Sequence, residues 1–535
     1  MNFDPLSYPY DSRRSVNYAN NGMVATSQPL AAQAGLEVLK KGGNAVDAAV
    51  ATAASLTVLE PTSNGIGGDG FAIVWKDGEL HGLNSSGPSP RALDIDTVKE
   101  EGHEEMPKFG WTPVTVPGIP AAWSELNERF GELPFEDVIE PAADYAENGY
   151  PISPILGKYW QAAYRGYKEN LEEEKFQNWF NTFAPKGRAP DIGEIWRSKD
   201  HADTLRKIGK SRAESFYRGE LAEKIVEFSK ETGGFFDKED LSDFTPEWVD
   251  PISVDYRGHE VWELPPNGQG IVALMALNIL KDFDFSCKEK VETYHKQIEA
   301  LKLAFADGKK LITDPEYMDV GPEELLSEEY ASERRDIIGD EAIEPEPGRL
   351  GERGTVYLAT ADGEGNMVSY IQSNYMGFGS GLVVPDTGIA LQNRGNTFSL
   401  DPEHANCIEP RKRTYHTIIP GFLTRQEEAV GPFGVMGGYM QPQGHLQVIM
   451  NSLDFDMNPQ AALDAPRWRW DEEKRVYVEK SFADDIAKAL SRKGHDVNYS
   501  LHSGSYGRGQ IIWKDEDGVY AGGTEKRTDG HIASW

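Results

Sequence analysis

Cysteine is nearly absent from the sequence. Of 535 residues only Cys287 and Cys407 are cysteines, and they stand far apart. No disulfide framework and no paired-cysteine metal spacing can be built from them, and two scattered thiols fit a reducing cytosol. A cytoplasmic location is the expectation. Long apolar runs are also missing. The richest, Ala45 to Leu59, is short and mostly alanine, so no membrane-spanning segment is expected. The first residues, MNFDPLSYPYDSRRSV, contain no apolar core, which argues against a secretory signal. HExxH, GxxxxGK[ST] and a post-strand GxGxxG are all absent, and nothing calls for a metal or an organic cofactor. Positive charge is scarce: 54 Lys and Arg face 87 Asp and Glu, a formal charge of −33. That field repels nucleic acid and anionic membranes, leaving neither as a partner. The acid excess has two readings, a solubilising surface or adaptation to a high-salt cytoplasm. Only the second requires the melting temperature to rise with KCl.

What is present reads as a large globular chain, 39 % hydrophobic and 10 % aromatic. Met23 to Thr26 forms a short strand pattern. A helix opens at Pro29 and stops at Gly42-Gly43. Asn44 caps the next helix, Asp47 favours its positive end, and the run from Ala45 to Ala54 is apolar all round, as in a helix sandwiched between layers. Asn64-Gly65-Ile66-Gly67-Gly68-Asp69-Gly70 then precedes the strand Phe71 to Trp75. Such glycines serve either a tight turn or close backbone approach to a ligand. Residues 120 to 340 are mostly helical with solvated acidic runs, interrupted by a strand-like stretch from Val254 to Leu264. Residues 339 to 354, GDEAIEPEPGRLGERG, form a break expected to be exposed and mobile. Strands follow: Val356, Leu358 and Thr360 alternate with Tyr357, Ala359 and Ala361, and after a turn at 362 to 366, Met367 to Ser373 returns as the partner. The whole suggests a layered α/β architecture.

The junction Gly354-Thr355 ends the break and begins the strands. Threonine forms strands well and glycine forms turns, so the pair by itself is unremarkable. Chemically it has another use. A threonine hydroxyl is a weak nucleophile without a base, and an N-terminal threonine carries one in its α-amine, with a pKa near ~8. Only cleavage before Thr355 generates that amine.

Blocks running the length of the chain resolve the ambiguity. They are GMVATSQPLAAQAGLEVLKKGGNAVDAAVA (22–51), NGIGGDGFAIVW (64–75), PVTVPGIPAAW (113–123), YRGHEVWELPPNGQGI (256–271), EALKLAFADGKKLITDP (299–315), GTVYLATADGEGNMVSYIQSNYMGFGSG (354–381) and GVMGGYMQPQGHLQVIMNSLDF (434–455). Together they resemble the γ-glutamyltransferase family of N-terminal-nucleophile hydrolases. The resemblance implies a four-layer α-β-β-α fold. It also implies a precursor cut between Gly354 and Thr355 into a large part, 1–354, and a small part, 355–535, that remain one globular unit and can pair as a homodimer. The family's substrates are γ-glutamyl amides such as glutathione. Thr355 aligns with the nucleophile. Ser373 stands where the family places a threonine that contacts it, and Gly437-Gly438 aligns with the glycine pair that receives the oxyanion. A plain turn is the bland alternative for that pair.

The substrate-recognition positions depart from the family pattern. The acidic pair that holds the substrate α-amine is missing from Gln392-Asn393-Arg394-Gly395-Asn396-Thr397, and Lys412-Arg413 replaces a serine pair. The carboxylate-binding arginine has a near match in Arg91. Arg91, Arg394, Thr397 and Arg413 are therefore the candidate substrate-binding residues. A cationic pocket suits a dicarboxylic acyl group such as glutaryl rather than glutamyl. Alternatively, these cations pair with the protein's own acids. The rival functions are an amidase for glutaryl-type acyl groups and, from another class, a non-catalytic binding protein that keeps the fold.

Overall fold

The computed structural model describes residues 3, 4, 6–12, 14–345 and 354–535. Its centre is two seven-stranded sheets packed face to face. One runs, edge to edge, through His531–Ser534, Gly22–Thr26, Val356–Asp362, Met367–Ser373, Asp69–Lys76, Glu79–Ser85 and Glu247–Val249. The other runs through Asn17–Ala19, Tyr520–Thr524, Arg508–Lys514, Glu428–Met436, Gly421–Arg425, His259–Glu263 and Ile252–Tyr256. Phe71, Ile73, Tyr357 and Ile371 of the first sheet share a core with Phe422, Met436 and Ile512 of the second.

Helices cover both outer faces and complete the α-β-β-α order. The all-buried helix Ala45–Leu59 lies on the first sheet beneath Pro29–Lys40 and Phe135–Asn148. Gly270–Leu280, Val291–Leu311 and Met440–Leu453 cover the second. Strand Val356–Asp362 is buried along its whole length because each face has a partner. Val356 and Leu358 enter the helix-side core, whereas Tyr357, Ala359 and Ala361 enter the core between the sheets.

Asn44 caps its helix as expected, accepting from the Val46 and Asp47 N–H groups. Asp47 does more than complement the helix dipole. Its carboxylate also accepts from Glu132 N, Leu133 N and Asn127 Nδ2, fixing a neighbouring loop to the helix start. The glycine run contains the expected tight turn, Gly68 N–H donating to Gly65 O at 3.1 Å, and a close approach besides. A Cβ at Gly67 would lie 2.4 Å from the Ala390 carbonyl oxygen, and one at Gly68 2.4 Å from that of Ser373. The close approach is by the chain itself, to the loop that follows the Ser373 strand.

The break before Thr355 also differs from expectation where it is described. Its start is pinned: Ala342 N–H donates to Lys493 O, Ile343 N–H to Glu299 Oε2, and Lys302 Nζ to Ile343 O. The remainder, 346–353, lies outside the described residues.

Candidate active site

Register places the candidate nucleophile. Val356 pairs with Gln372, so Thr355, one residue earlier, reaches the level of Ser373, which in turn pairs with Asp69 on the next strand. Thr355 is 1 % exposed. Its Oγ1 donates to Ser373 Oγ at 3.2 Å, and Ser373 Oγ donates to the Gly354 carbonyl at 2.8 Å. The Tyr375 N–H donates to the same serine oxygen at 2.8 Å, fixing its rotamer. Gly354 N–H donates to Tyr375 O at 3.1 Å. The serine thus polarises the carbonyl next to the threonine hydroxyl while accepting that hydroxyl's proton in a hydrogen bond.

Gly437 and Gly438 follow strand Glu428–Met436 with φ of +140° and +60°. Both values favour glycine. Their carbonyls accept from the first residues of helix Met440–Leu453, and Gln269 Nε2 also donates to Gly438 O at 2.9 Å. Their N–H groups donate to nothing among the described residues. Gly437 shares a cavity of ≈ 580 Å³ with Gly354, Met376 and Gly377. The structure therefore brings four of the expected residues, Gly354, Thr355, Ser373 and Gly437, to one place, with Gly438 adjoining.

The candidate substrate residues divide. Arg394 is fully buried; its Nη1 donates to Thr417 Oγ1 at 2.7 Å and its guanidinium lies 4.1 Å from the Tyr375 ring centroid. Its guanidinium contacts the ring of the same Tyr375 whose backbone N–H holds Ser373. Thr397 uses its hydroxyl internally: Oγ1 lies 2.8 Å from Arg394 O, 3.0 Å from Tyr415 O and 2.8 Å from Thr414 Oγ1, its one proton shared among them. Arg91 and Arg413 go elsewhere. They line a cavity of ≈ 590 Å³ that shares no lining residue with the one at Gly354. There Arg91 is ion-paired with Asp240 and Asp243, and Arg413 with Glu247. Lys412 is buried against Glu409 and the Tyr317 ring. For these three the expectation of a cationic substrate pocket gives way to pairing with the protein's own acids. The reason is simple: a buried or half-buried cation is costly without a counter-charge, and this chain has carboxylates in excess.

A sequence profile described as gamma-glutamyltranspeptidase matches residues 31–535. The chain belongs to this family. It is 38 % identical to the glutathione hydrolase-like YwrD proenzyme of Bacillus subtilis (strain 168), over 95 % of this chain and 97 % of that one. It is 32 % identical to the oxamate amidohydrolase proenzyme of Klebsiella pneumoniae, over 97 % and 100 %. Among solved structures, the cephalosporin acylase from Bacillus halodurans superposes with a TM-score of 0.96 at 64 % identity, covering 100 % of this chain and 99 % of that one. Members of the γ-glutamyltranspeptidase family are hydrolases and acyl transferases of the N-terminal-nucleophile type. No helix among the described residues is long and apolar enough to cross a membrane.

Within this γ-glutamyltranspeptidase fold, several residues near the site were missed by sequence reasoning. Tyr375 adopts φ +74°, an uncommon conformation for a bulky residue, and links Ser373 to Arg394. Asp69 lies opposite Ser373, fully buried. Burial pushes its carboxyl up to about 7, opposed by the Arg394 guanidinium and by hydrogen bonds from Gln392, Gly87 and Gly118. His416 Nε2 lies 3.0 Å from Asp69 Oδ2, while the Ile418 N–H points at His416 Nδ1. That donor fixes the Nε2–H tautomer, and burial together with Arg394 keeps the ring neutral. Asp69 belongs to the glycine-rich block, so its position was signalled; its partners come from residues 392 to 416, which no spacing rule connects to it.

One cluster has metal-ligand composition: His295, Glu299 and His495 bring donor atoms within 4.8 Å of one another. Its positive charge is already supplied, since Lys302 Nζ donates to Glu299 Oε1 at 2.8 Å. His295 Nε2 lies 3.0 Å from Gly339 O, so the cluster anchors the start of the break rather than presenting an open coordination site.

Proposed function

We propose that the protein is a self-processing threonine acylase that hydrolyses, or transfers the acyl group of, small-molecule amides, and that its acyl group carries a terminal carboxylate, as in glutaryl, in preference to γ-glutamyl. The observation that carries the reading is the bridge from Thr355 Oγ1 through Ser373 Oγ to the Gly354 carbonyl. In the first step Thr355 Oγ1 attacks the Gly354 carbonyl carbon and the peptide nitrogen leaves protonated, giving an ester. Ser373 stabilises the carbonyl oxygen as charge develops. Water hydrolyses the ester, freeing the Gly354 carboxylate and the Thr355 hydroxyl and leaving Thr355 as an N-terminal residue with a free α-amine. That amine is the base for the second reaction, in which the same hydroxyl attacks the substrate amide and expels its amine. Gly437 and Gly438 N–H groups receive the oxyanion; such donors contribute about 3 kcal/mol each.

The preference for a non-glutamyl acyl group rests on the segment 392–397, which has no acid for a substrate ammonium group and carries Arg394, stacked on the Tyr375 ring. The 64 % identity to a structure described as a cephalosporin acylase supports it. Two assays test the reading. Denaturing gels should show two fragments, and glutaryl-p-nitroanilide should be cleaved with a higher kcat/KM than γ-glutamyl-p-nitroanilide. An intact chain that still hydrolyses either anilide removes the self-processing mechanism. A faster γ-glutamyl reaction removes the acyl assignment.

A further inference from the structure

The cut before Thr355 would divide the site between two fragments, and a buried ion pair joins them beside it. Glu60 comes from the large part and Arg508 from the small part. Arg508 Nη1 donates to Glu60 Oε1 at 3.0 Å, and the two residues are 2 % and 7 % exposed. Glu60 ends helix Ala45–Leu59, and its other carboxylate oxygen accepts from Ser27 Oγ. Its carbonyl accepts from Ser63 N–H at 3.1 Å and from Asn64 Nδ2 at 2.9 Å. Asn64 Oδ1 accepts in turn from Gln372, the neighbour of Ser373. The loop so held packs on the scissile residue: a Cβ at Gly354 would lie 3.3 Å from Thr62 O and 3.3 Å from Ser63 Cα. Arg508 belongs to the opposite wall. It pairs in the second sheet with Met436, the residue before Gly437-Gly438. A Cβ at Gly437 would lie 3.1 Å from Gly507 Cα. Arg467 Nη1 donates to the Tyr506 and Gly507 carbonyls at 2.8 and 3.1 Å, and Glu525 holds Arg467. The backbone at 506–508 is thus braced, and a shift of Arg508 is passed to the glycine turn rather than absorbed.

We propose that Glu60 and Arg508 are positioning residues that set the distance between Thr355 and the Gly437-Gly438 N–H groups and keep it once the chain is cut. The inference rests on the acylase reading above. The physical reason is tolerance. An oxyanion donor has to sit within about 0.5 Å of its place, and here donor and nucleophile stand on different sheets. Apolar contact between sheets is non-directional, whereas a charge-assisted hydrogen bond fixes distance and direction. The two reactions also differ in what receives the developing charge. Self-cleavage uses Ser373, on the wall of Thr355 itself; acyl transfer uses the glycine turn on the other wall. The pair therefore governs the second reaction and not the first.

The test compares both rates in one protein. Arg508→Met should leave the time course of fragment appearance within twofold of wild type. It should lower kcat about tenfold for whichever of the two anilides is cleaved faster, with KM within twofold. Glu60 can lose its partner because burial already pushes its carboxyl up and it can take a proton. Glu60→Gln/Arg508→Met removes both charges together, a change that buried pairs tolerate, and should give the same pattern. Arg508→Lys keeps a cation and should hold kcat within about threefold of wild type. Equal slowing of the two reactions would mark the pair as a general support of the fold and overturn the proposal. So would a wild-type kcat in Arg508→Met. Arg508 also lines the cavity, so a KM that rises at constant kcat would make it a substrate contact and overturn the proposal as well. Failure of the acylase reading looks different: the wild type itself would stay uncut or inactive.

Discussion

Two cavities of nearly equal volume, ≈ 580 Å³ at Gly354 and Gly437 and ≈ 590 Å³ at Arg91 and Arg413, both carry arginines, yet they are opposite in character. In the second, Asp240, Asp243 and Glu247 share the lining with Arg91 and Arg413 and pair with them. In the first, the charged side chains of the lining are cations alone among the described residues, beside a backbone carbonyl polarised by a serine. Neither size nor arginine content separates them. Local charge balance and the neighbouring reactive group do.

The sharpest way to break the comparison is Thr355→Ala. It should leave one uncut band on a denaturing gel and lower acylase kcat by roughly a thousandfold or more. Gly437→Ala comes next. Its φ of +140° disfavours a side chain and the new Cβ would sit 3.1 Å from the Gly507 Cα. Displacing this proposed oxyanion donor should reduce kcat on the order of a hundredfold, seen in steady-state kinetics of the anilide. Ser373→Ala removes one hydrogen bond to the Gly354 carbonyl and should slow self-cleavage about tenfold, read from the time course of fragment appearance.

A smaller effect tests the buried acid behind the serine. Burial raises the Asp69 carboxyl from 3.8 to about 7, so the folded state holds this proton more tightly than the unfolded chain does. The associated stability is complete below the unfolded value and is lost as pH rises to about 7, at no more than about 1.4 kcal/mol per pH unit. Urea melts of wild type and Asp69→Asn across that window should differ in slope, the variant being flatter. Parallel curves would show that Asp69 ionises normally. In the other cavity, Arg413→Gln breaks an ion pair whose partner Glu247 has a half-exposed side chain. It should cost about 1 kcal/mol or less and change kcat/KM less than twofold. A tenfold loss of activity there would erase the distinction between the two cavities.

The strand alternation from Val356 to Ala361, the Asn44 cap and the apolar helix after it were legible, because each depends on near neighbours in the chain. The junction at Gly354-Thr355 and the glycine pair at 437–438 were legible only as parts of extended blocks; neither stands out from a common turn by itself. Arg91 and Arg413 were left between two readings because spacing reveals a cation but not its counter-ion, and Asp240 and Glu247 are recruited across the fold. Tyr375, Asp69 and His416 were missed for the same reason. Each matters through a partner on another strand or loop.

By itself, then, the sequence determined the elements, the layered class and the candidate nucleophile, since these follow from local periodicity and from blocks of contiguous residues. Tertiary structure decided which charges are paired. It set Ser373 between Thr355 and the carbonyl before it and matched Arg91 and Arg413 with acids. Charge pairing acts over a few ångströms of space, and only the folded chain says which residues those few ångströms contain.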